Sequence, residues 1–180
     1  MTWMQIVDQF RKNHTINPIN FPQSGLRPVR SEDLNPLLEA LKNSPHIDQY
    51  LPTARQMSLK DVLSTYLKEN PTLVWDTTQG LATWLILHQD TEDLWLEFMT
   101  FSDFLGQGYM NRSLRTLLLN TKSRILAEAD SENELSLYLL GCFGSKIRTR
   151  TGLGYYRGQV SQRSYEIFSL MPLSLNDLGR

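Results

Sequence analysis

The chain has 180 residues, of which 41% are hydrophobic and 21% are charged, and its net charge is −1. This composition is that of an ordinary soluble globular protein, most simply one domain with a sizeable core. A charge so close to zero argues against a general nucleic-acid binder and against a protein that binds membrane surfaces.

Three features bear on the compartment. The single cysteine, Cys142, cannot form an intrachain disulfide, which fits a reducing environment. No apolar run approaches the ~20 residues of a membrane span. Asp8 and Arg11 interrupt the N-terminus too early for a secretory signal. We therefore expect a cytoplasmic protein.

Residues 1–25 precede the predicted domain. One helical face over residues 1–14 carries the apolar side chains Trp3, Ile6, Val7 and Phe10. Pro18, Pro22 and Gly25 indicate an extended connector after it. This pattern predicts a short helix packed on the body of the protein, followed by a single domain over residues 26–180.

The domain opens with a short predicted strand over residues 26–30. A helix follows with four leucines at helical spacing, and Pro36 in its first turn favours Asn35 over Ser31 as its N-cap. Ser58, with Asp61 three residues later, is a capping-box variant that predicts a second helix.

The hydrophobic period then changes to that of strands. Three β-like runs, 72–76, 81–87 and 94–101, are joined by short polar connections that are typical of antiparallel hairpins. A helix and a strand over residues 124–129 come next, which implies one parallel pair with a right-handed crossover.

The remaining predicted elements are a helix through Cys142, which Gly144 terminates, and two strands over 146–151 and 164–170 that flank a glycine-rich loop. The sequence thus predicts a mixed α/β (α+β) fold: a mostly antiparallel sheet of about seven strands flanked by helices.

The chain changes from strand to helix at two glycines, Gly106 and Gly108. Glycine permits positive φ and close approach of another group. The first N–H groups of a helix have no intrahelical partner, and the helix dipole adds positive charge, so this terminus is a candidate phosphate site. Arg112 and Arg115 stand where acids are usual. The alternative is a glycine turn with a solvated basic face.

Two familiar phosphate motifs are absent from this turn. No Lys-Ser/Thr pair follows the second glycine, so the Walker pattern is missing. Asn111 stands where a dinucleotide fingerprint has its third glycine.

Together with the order of elements, four short motifs resemble the GNAT superfamily of N-acetyltransferases, and most of all its ribosomal-protein N-terminal acetyltransferase branch. The motifs are Leu-Arg-Pro-Val-Arg at 26–30, Tyr-Leu-Pro at 50–52, Gly-Gln-Gly-Tyr-Met at 106–110 and the Asn-x-x-Ser element at 133–136. The resemblance covers roughly residues 26–170.

The resemblance implies binding of acetyl-coenzyme A as co-substrate. The pyrophosphate would lie on the turn and first helical residues, and the pantetheine arm between the central strand and the strand that begins at 124. The cofactor-binding residues it implies are Met99, Thr100, Phe101, Gly106, Gln107, Gly108, Tyr109, Met110, Asn111, Arg112 and Asn133.

The sequence also departs from the superfamily pattern. Leu105 stands two residues before Gln107, where Arg or Gln is common. Leu140 stands seven residues after Asn133, where many members have a tyrosine. Ser145 replaces the aromatic residue that usually follows the terminal glycine.

Acyl transfer to an amine needs a proton acceptor, an oxyanion site and a proton for the thiolate. Glu97 is the general-base candidate, because by alternation it shares a face with the apolar Trp95 and Met99. Ser136 could protonate the thiolate or hydrogen-bond the sulfur, and backbone amides over 99–101 could serve the oxyanion. The alternatives are a solvated acid on a hairpin and a plain helix-surface serine.

Other polar and reactive residues give weaker signals. Tyr138 is expected to pack in the core, and Cys142 to be an inert core thiol. The three histidines have no ligand spacing, so no metal site is expected. Lys146, Arg148 and Arg150 alternate, which predicts one basic strand face that is either solvated or attracts a phosphate or an acidic partner.

These interpretations lead to an acyl-CoA-dependent N-acetyltransferase that works by direct transfer in a ternary complex. Its acceptor would be a primary amine, on a protein N-terminus or a small molecule. The alternative is a catalytically weak module that binds acyl-CoA or a protein partner in a regulatory role. We expect no nucleic-acid or membrane partner, and a homodimer is compatible with the sequence.

Overall fold

The computed structural model describes residues 25–44, 72–90, 93–156 and 159–174. The helix predicted over 1–14, the Tyr-Leu-Pro loop at 50–52 and the helix predicted from Ser58 lie outside these residues. The boundaries predicted for the domain, 26 and 180, stay a prediction.

In the described part of the chain, seven strands form one sheet in the order β1-β2-β3-β4-β5-β7-β6, and among them only β4 and β5 are parallel. The strands are β1 Gly25–Pro28, β2 Thr72–Thr77, β3 Gly80–Asp90, β4 Asp93–Thr100, β5 Ile125–Asp130, β6 Gly144–Tyr156 and β7 Gln159–Leu170. The mixed, mostly antiparallel sheet predicted from the sequence is therefore confirmed.

Three α-helices and two single-turn 3-10 helices are described with the sheet. The α-helices are α1 Leu34–Lys42, α2 Tyr109–Leu119 and α3 Glu134–Gly141, and the 3-10 turns are Ser31–Asp33 and Ser102–Phe104. Among the described residues, no helix combines the length and apolar character that crossing a bilayer requires.

The sheet buries apolar side chains on both faces. Alternation along β3 sends Leu85 and Leu87 into one cluster, with α2 and α3, and Trp84 and Ile86 into the other, with α1. We call the side of the sheet that carries Leu85 and Leu87 the α2 face, and the side that carries Trp84 and Ile86 the α1 face. Helix α2 contributes Leu114, Leu117 and Leu118, all fully buried. The helix that follows β4 is thus fixed to the sheet by its leucine stripe, as the sequence predicted.

Helix α1 begins earlier than predicted. Its N-cap is Asp33, and Pro36 is its third residue, so the prediction of Asn35 as N-cap is wrong. Two contacts explain the early start: Arg27 donates to both carboxylate oxygens of Asp33, at 2.6 and 2.8 Å, and the amide of Arg30 donates to Oδ2 at 2.7 Å. These bonds tie the chain at Asp33 into the 3-10 turn from which α1 continues.

The last two strands are longer than predicted, because the glycine-rich loop is part of the hairpin. β6 and β7 pair up to Tyr156↔Gln159, whereas β5 pairs with β7 only as far as Asp130↔Tyr165. The hairpin therefore extends past β5. Position 154 of β6 is a glycine, and a Cβ there would collide with the hydroxyl of Tyr165.

A bulge between Lys146 and Arg148 makes the prediction of one basic strand face wrong. Arg148 lies opposite Ile167, and Lys146 lies opposite Phe168. Ile167 and Phe168 are adjacent in β7 and project to opposite sides of the sheet, so Lys146 and Arg148 do as well. One inserted residue reverses the side on which a strand side chain projects. Lys146 instead forms an ion pair of 2.9 Å with Glu166.

Candidate functional site

The parallel strands β4 and β5 pair over only three positions and then separate. The pairs are Leu94↔Ile125, Trp95↔Leu126 and Leu96↔Ala127, yet β4 continues to Thr100 and β5 to Asp130. A gap therefore opens between the two strands at their C-terminal ends. We call it the β4/β5 gap.

The register of β3 and β4 decides which backbone groups face this gap. The amide of Phe101 donates to the carbonyl of Ala82 in β3, at 3.0 Å. Hydrogen bonding alternates along an antiparallel strand, so the amide of Met99 also points to β3, and those of Phe98 and Thr100 point to the β5 side. Of the three amides that the sequence suggested over 99–101, only that of Thr100 has this direction. The amide of Phe98, which the sequence did not suggest, also points to the β5 side.

A glycine turn leads from this gap into α2. Gly106 and Gly108 have φ of 72° and 76°, in the left-handed region that only glycine enters easily. Gly108 is the N-cap of α2 and has no side chain with which to satisfy the first amides. No described residue accepts a hydrogen bond from the amides of Gly106, Gly108, Tyr109, Met110 and Asn111. These five amides are the free donors of the predicted phosphate turn.

Gln107 differs from its neighbours because its groups are engaged within the turn. Its amide donates to the carbonyl of Phe104 at 3.4 Å, and its Nε2 donates to the carbonyl of Asp103 at 2.8 Å. Its carbonyl accepts from Arg112 Nη2 at 3.3 Å. The guanidinium of Arg112 lies 4.8 Å from the centre of the Tyr109 ring, so a cation stands at the first turn of α2.

The position of α2 on the sheet is fixed by a polar contact as well as by leucines. Thr83 on β3 and Ser113 on α2 are both fully buried, and their hydroxyl oxygens lie 2.7 Å apart. Each hydroxyl satisfies the other inside the core, which gives the helix one register against β3. The amides at its N-terminus are thereby held in place.

Glu97 is the first residue of β4 beyond the paired segment. Its neighbours by alternation, Trp95 and Met99, share its side of the sheet, which is the α1 face, and its side chain is 45% exposed. Nε2 of His88, on β3, lies 3.0 Å from Oε1 of Glu97. The sequence could not link this histidine to Glu97, because the nearness of the two depends on strand register.

Asn133 and Ser136 form the cap of α3. The Asn133 side chain accepts a hydrogen bond from the Ser136 amide at 3.2 Å, and the Asn133 amide donates to the Asp130 carbonyl at 2.8 Å. Both residues are half-buried. Asn133 is thus an N-cap through its side-chain oxygen. Its side-chain nitrogen Nδ2 and the Ser136 hydroxyl stay available to other groups.

Two expectations for α3 are wrong. Tyr138 is 77% exposed rather than packed in the core, and Cys142 is exposed rather than buried. The helix is short and meets the sheet through Leu140, which is fully buried, and Phe143. Tyr138 and Cys142 are four residues apart and lie on the opposite, outward side.

Charged side chains at the end of β5 form a compact cluster. Arg163 Nε donates to Asp130 Oδ2 at 2.7 Å, and its Nη2 donates to Glu132 at 3.1 Å. Burial alone would raise the pKa of Asp130, but the hydrogen bonds from Arg163 and from the Glu132 amide outweigh it and leave that pKa below its ordinary value.

Tyr165 lies beside this cluster. Arg150 stacks over the Tyr165 ring at 4.3 Å and binds Glu128 at 2.7 Å. Burial, and then the charge of Asp130, raise the pKa of the Tyr165 phenol. Arg150 and Arg163 are therefore both paired with acids. Among the described residues, no group of three or more His, Cys, Asp or Glu is placed to hold a metal ion.

Structural comparison assigns the class of this fold. Solved N-acetyltransferases superpose on most of the chain, although no protein-family model and no curated protein sequence matches it. The chain has the GNAT N-acetyltransferase fold, which confirms at the level of the fold the resemblance found in the sequence.

Three of these structures illustrate the likeness. The ribosomal L7/L12 alpha-N-protein acetyltransferase RimL, in complex with coenzyme A, has a TM-score of 0.67 and 14% identity, covering 83% of this chain and 96% of that one. The ribosomal-protein-S5-alanine acetyltransferase from Vibrio fischeri gives 0.64 and 15%, covering 86% and 96%. The spermidine N-acetyltransferase SpeG K23-Q34 chimera from Vibrio cholerae and hSSAT gives 0.65 and 16%, covering 88% and 100%.

Proposed function

We propose that this protein is an acetyl-CoA-dependent N-acetyltransferase whose acceptor is a primary amine, with the acetyl group passing directly in a ternary complex. One observation carries the proposal: β4 and β5 separate beside five free amides at the glycine turn and first turn of α2. A gap between parallel strands that ends at an uncapped helix N-terminus fits an extended ligand with a phosphate end. The fold of the solved N-acetyltransferases supports the same reading.

The residues of the glycine turn and the first turn of α2 suit acetyl-coenzyme A. The amides of Gly106, Gly108 and the first turn of α2 would hold the diphosphate, and Arg112 would add a positive charge. Gly106 and Gly108 leave the approach open, since a Cβ at either would meet nothing within 4 Å.

The gap itself offers a strand edge to an amide-containing chain. Phe98 and Thr100 present backbone groups on the β5 side, and we propose that they bind the pantetheine arm and the carbonyl oxygen that becomes negatively charged. Phe101 is 2% exposed and its amide donates to the Ala82 carbonyl, so its backbone N–H is directed away from the gap. Met99, whose amide points to β3, contributes at most its side chain.

Acetyl-coenzyme A supplies a thioester, whose carbonyl carbon reacts with an amine. Glu97 accepts a proton from the acceptor ammonium, which frees the nitrogen lone pair to form the C–N bond. The backbone amides at the gap stabilise the oxyanion while the C–S bond breaks. The Ser136 hydroxyl donates a proton to the departing thiolate and takes up the second proton that the acceptor nitrogen loses as the amide forms, so the hydroxyl is restored. Asn133, whose side-chain nitrogen has no partner among the described residues, contacts the cofactor.

A second function is favoured by one residue. Leu140, at the position where many superfamily members have tyrosine, is fully buried in the core and has no proton to give. A protein that binds coenzyme A but transfers slowly, as a regulatory module, follows from this substitution if Ser136 is not an adequate acid.

Two measurements separate these functions. A thermal-shift titration with acetyl-CoA tests binding, and we expect a rise in melting temperature that saturates. Thiol release is then measured across protein N-terminal peptides, polyamines and amino acids. We expect release with at least one class and a loss of about 100-fold in kcat for Glu97→Gln, the usual contribution of a general base.

The outcomes divide clearly. Binding without thiol release supports the regulatory module. An unchanged rate in Glu97→Gln removes Glu97 from the mechanism, and no thermal shift at saturating ligand removes acetyl-CoA from both functions.

A further inference from the structure

A histidine outside the mechanism above lies against the carboxylate that serves as its base. Glu97 on β4 is opposite Ile86 on β3, and His88 is two residues further along β3 on the same side of the sheet. Diagonal neighbours of this kind are within reach of long side chains. The two residues therefore meet across the strands at the point where β4 leaves β5.

The contact joins a ring nitrogen of His88 to a carboxylate oxygen of Glu97. Nε2 of His88 lies 3.0 Å from Oε1 of Glu97, and the two side chains are 25% and 45% exposed. Nε2 itself is buried, so the contact is shielded from water. Among the described residues, His88 is the one Lys, Arg or His side chain within 4.0 Å of the Glu97 carboxylate.

We infer that His88 is a positioning residue, which holds the Glu97 carboxylate at the mouth of the β4/β5 gap. The inference depends on the proposed function, because it assigns His88 a role through Glu97. A half-exposed glutamate samples many rotamers, whereas a general base must stay within hydrogen-bonding reach of the proton it accepts. A displacement of about 1 Å can slow a reaction by about 100-fold.

Kinetics of the intact protein test this role. His88→Gln removes the imidazole that contacts Glu97, and we expect kcat to fall about five- to tenfold while KM for acetyl-CoA stays unchanged, since the phosphate turn is untouched. His88→Lys places an ammonium group near the same carboxylate and is expected to recover part of the rate. A merely structural histidine would give equal losses in both variants.

A matched control breaks a different ion pair on the same strand. Arg124 binds Asp93 at 2.6 Å, at the paired end of β4 and away from the gap. Arg124→Gln is expected to keep the wild-type kcat. Thermal melting with and without acetyl-CoA verifies that each variant is folded and binds the ligand.

The double variant decides the result. If His88 acts through Glu97, then His88→Gln lowers kcat in the wild type but not in the Glu97→Gln background. Equal losses in both backgrounds, or no loss in the wild type, overturn the inference while the proposed function stands. A wild-type protein that binds acetyl-CoA but transfers to no amine overturns the proposed function, and the role of His88 with it.

Discussion

At the scale of single residues, the candidate site depends on two glycines and one acid. Gly106 and Gly108 adopt positive φ, and Gly108 leaves the first amides of α2 without a side-chain cap. Glu97 is the first residue of β4 that no longer pairs with β5. The sequence singled out all three as candidates, because two glycines between a strand and a helix, and an acid on an apolar strand face, are visible in its pattern. Their roles stay predictions. It was insufficient to find His88, whose contact follows from the register of two strands.

The glycines give a prediction at this scale. Gly106→Ala and Gly108→Ala are each expected to lower the free energy of unfolding by about 1 kcal/mol, because an alanine in the left-handed region is strained. Both variants should also bind acetyl-CoA more weakly, since the amides move. Urea unfolding and ligand titration measure the two effects.

Gly141→Ala is the matched control. Gly141 ends α3 with an ordinary φ and open space around it. This substitution is expected to be neutral or slightly stabilising. A loss at Gly141 as large as at Gly106 and Gly108 would contradict the explanation by backbone conformation.

At the scale of elements, α2 is the part whose placement matters most. Its leucine stripe could be predicted from the sequence, and the structure buries Leu114, Leu117 and Leu118 as that stripe predicts. Its polar anchor, Thr83 with Ser113, was not, since residues 30 positions apart are matched only by the fold. The bulge after Lys146 and the outward side of α3 were missed for the same reason, because each depends on how the element meets its neighbours.

The hydroxyl pair gives a prediction at the scale of elements. Thr83→Val or Ser113→Ala alone leaves one buried hydroxyl without its partner and is expected to lower the free energy of unfolding by about 1–3 kcal/mol. The double variant is expected to lose less than the sum of the two, because neither hydroxyl remains. Urea unfolding of the four proteins measures this coupling. Strict additivity would show that the two hydroxyls do not depend on each other.

At the scale of the whole molecule, the sheet brings sequence-distant segments to one corner. The C-terminal end of β4, the glycine turn and the first turn of α2 are joined by the chain, and β5 leads into Asn133 and Ser136 across the gap. The order of elements was predictable because short polar links enforce hairpins and a helix between two strands enforces a parallel crossover. The opening between β4 and β5 was implied only by the family resemblance, because pairing that stops leaves no mark in the composition of either strand.

Backbone amide shifts on titration with acetyl-CoA, followed by ¹H–¹⁵N correlation spectra, test the central claim most directly. The account predicts that the largest changes fall on the amides of Gly106, Gly108 and the first turn of α2, with further changes at Phe98 and Thr100. Arg124 and Asp93, at the paired end of β4, should change least. Saturating ligand that leaves the glycine turn unchanged, or that perturbs only residues outside the gap, would contradict it.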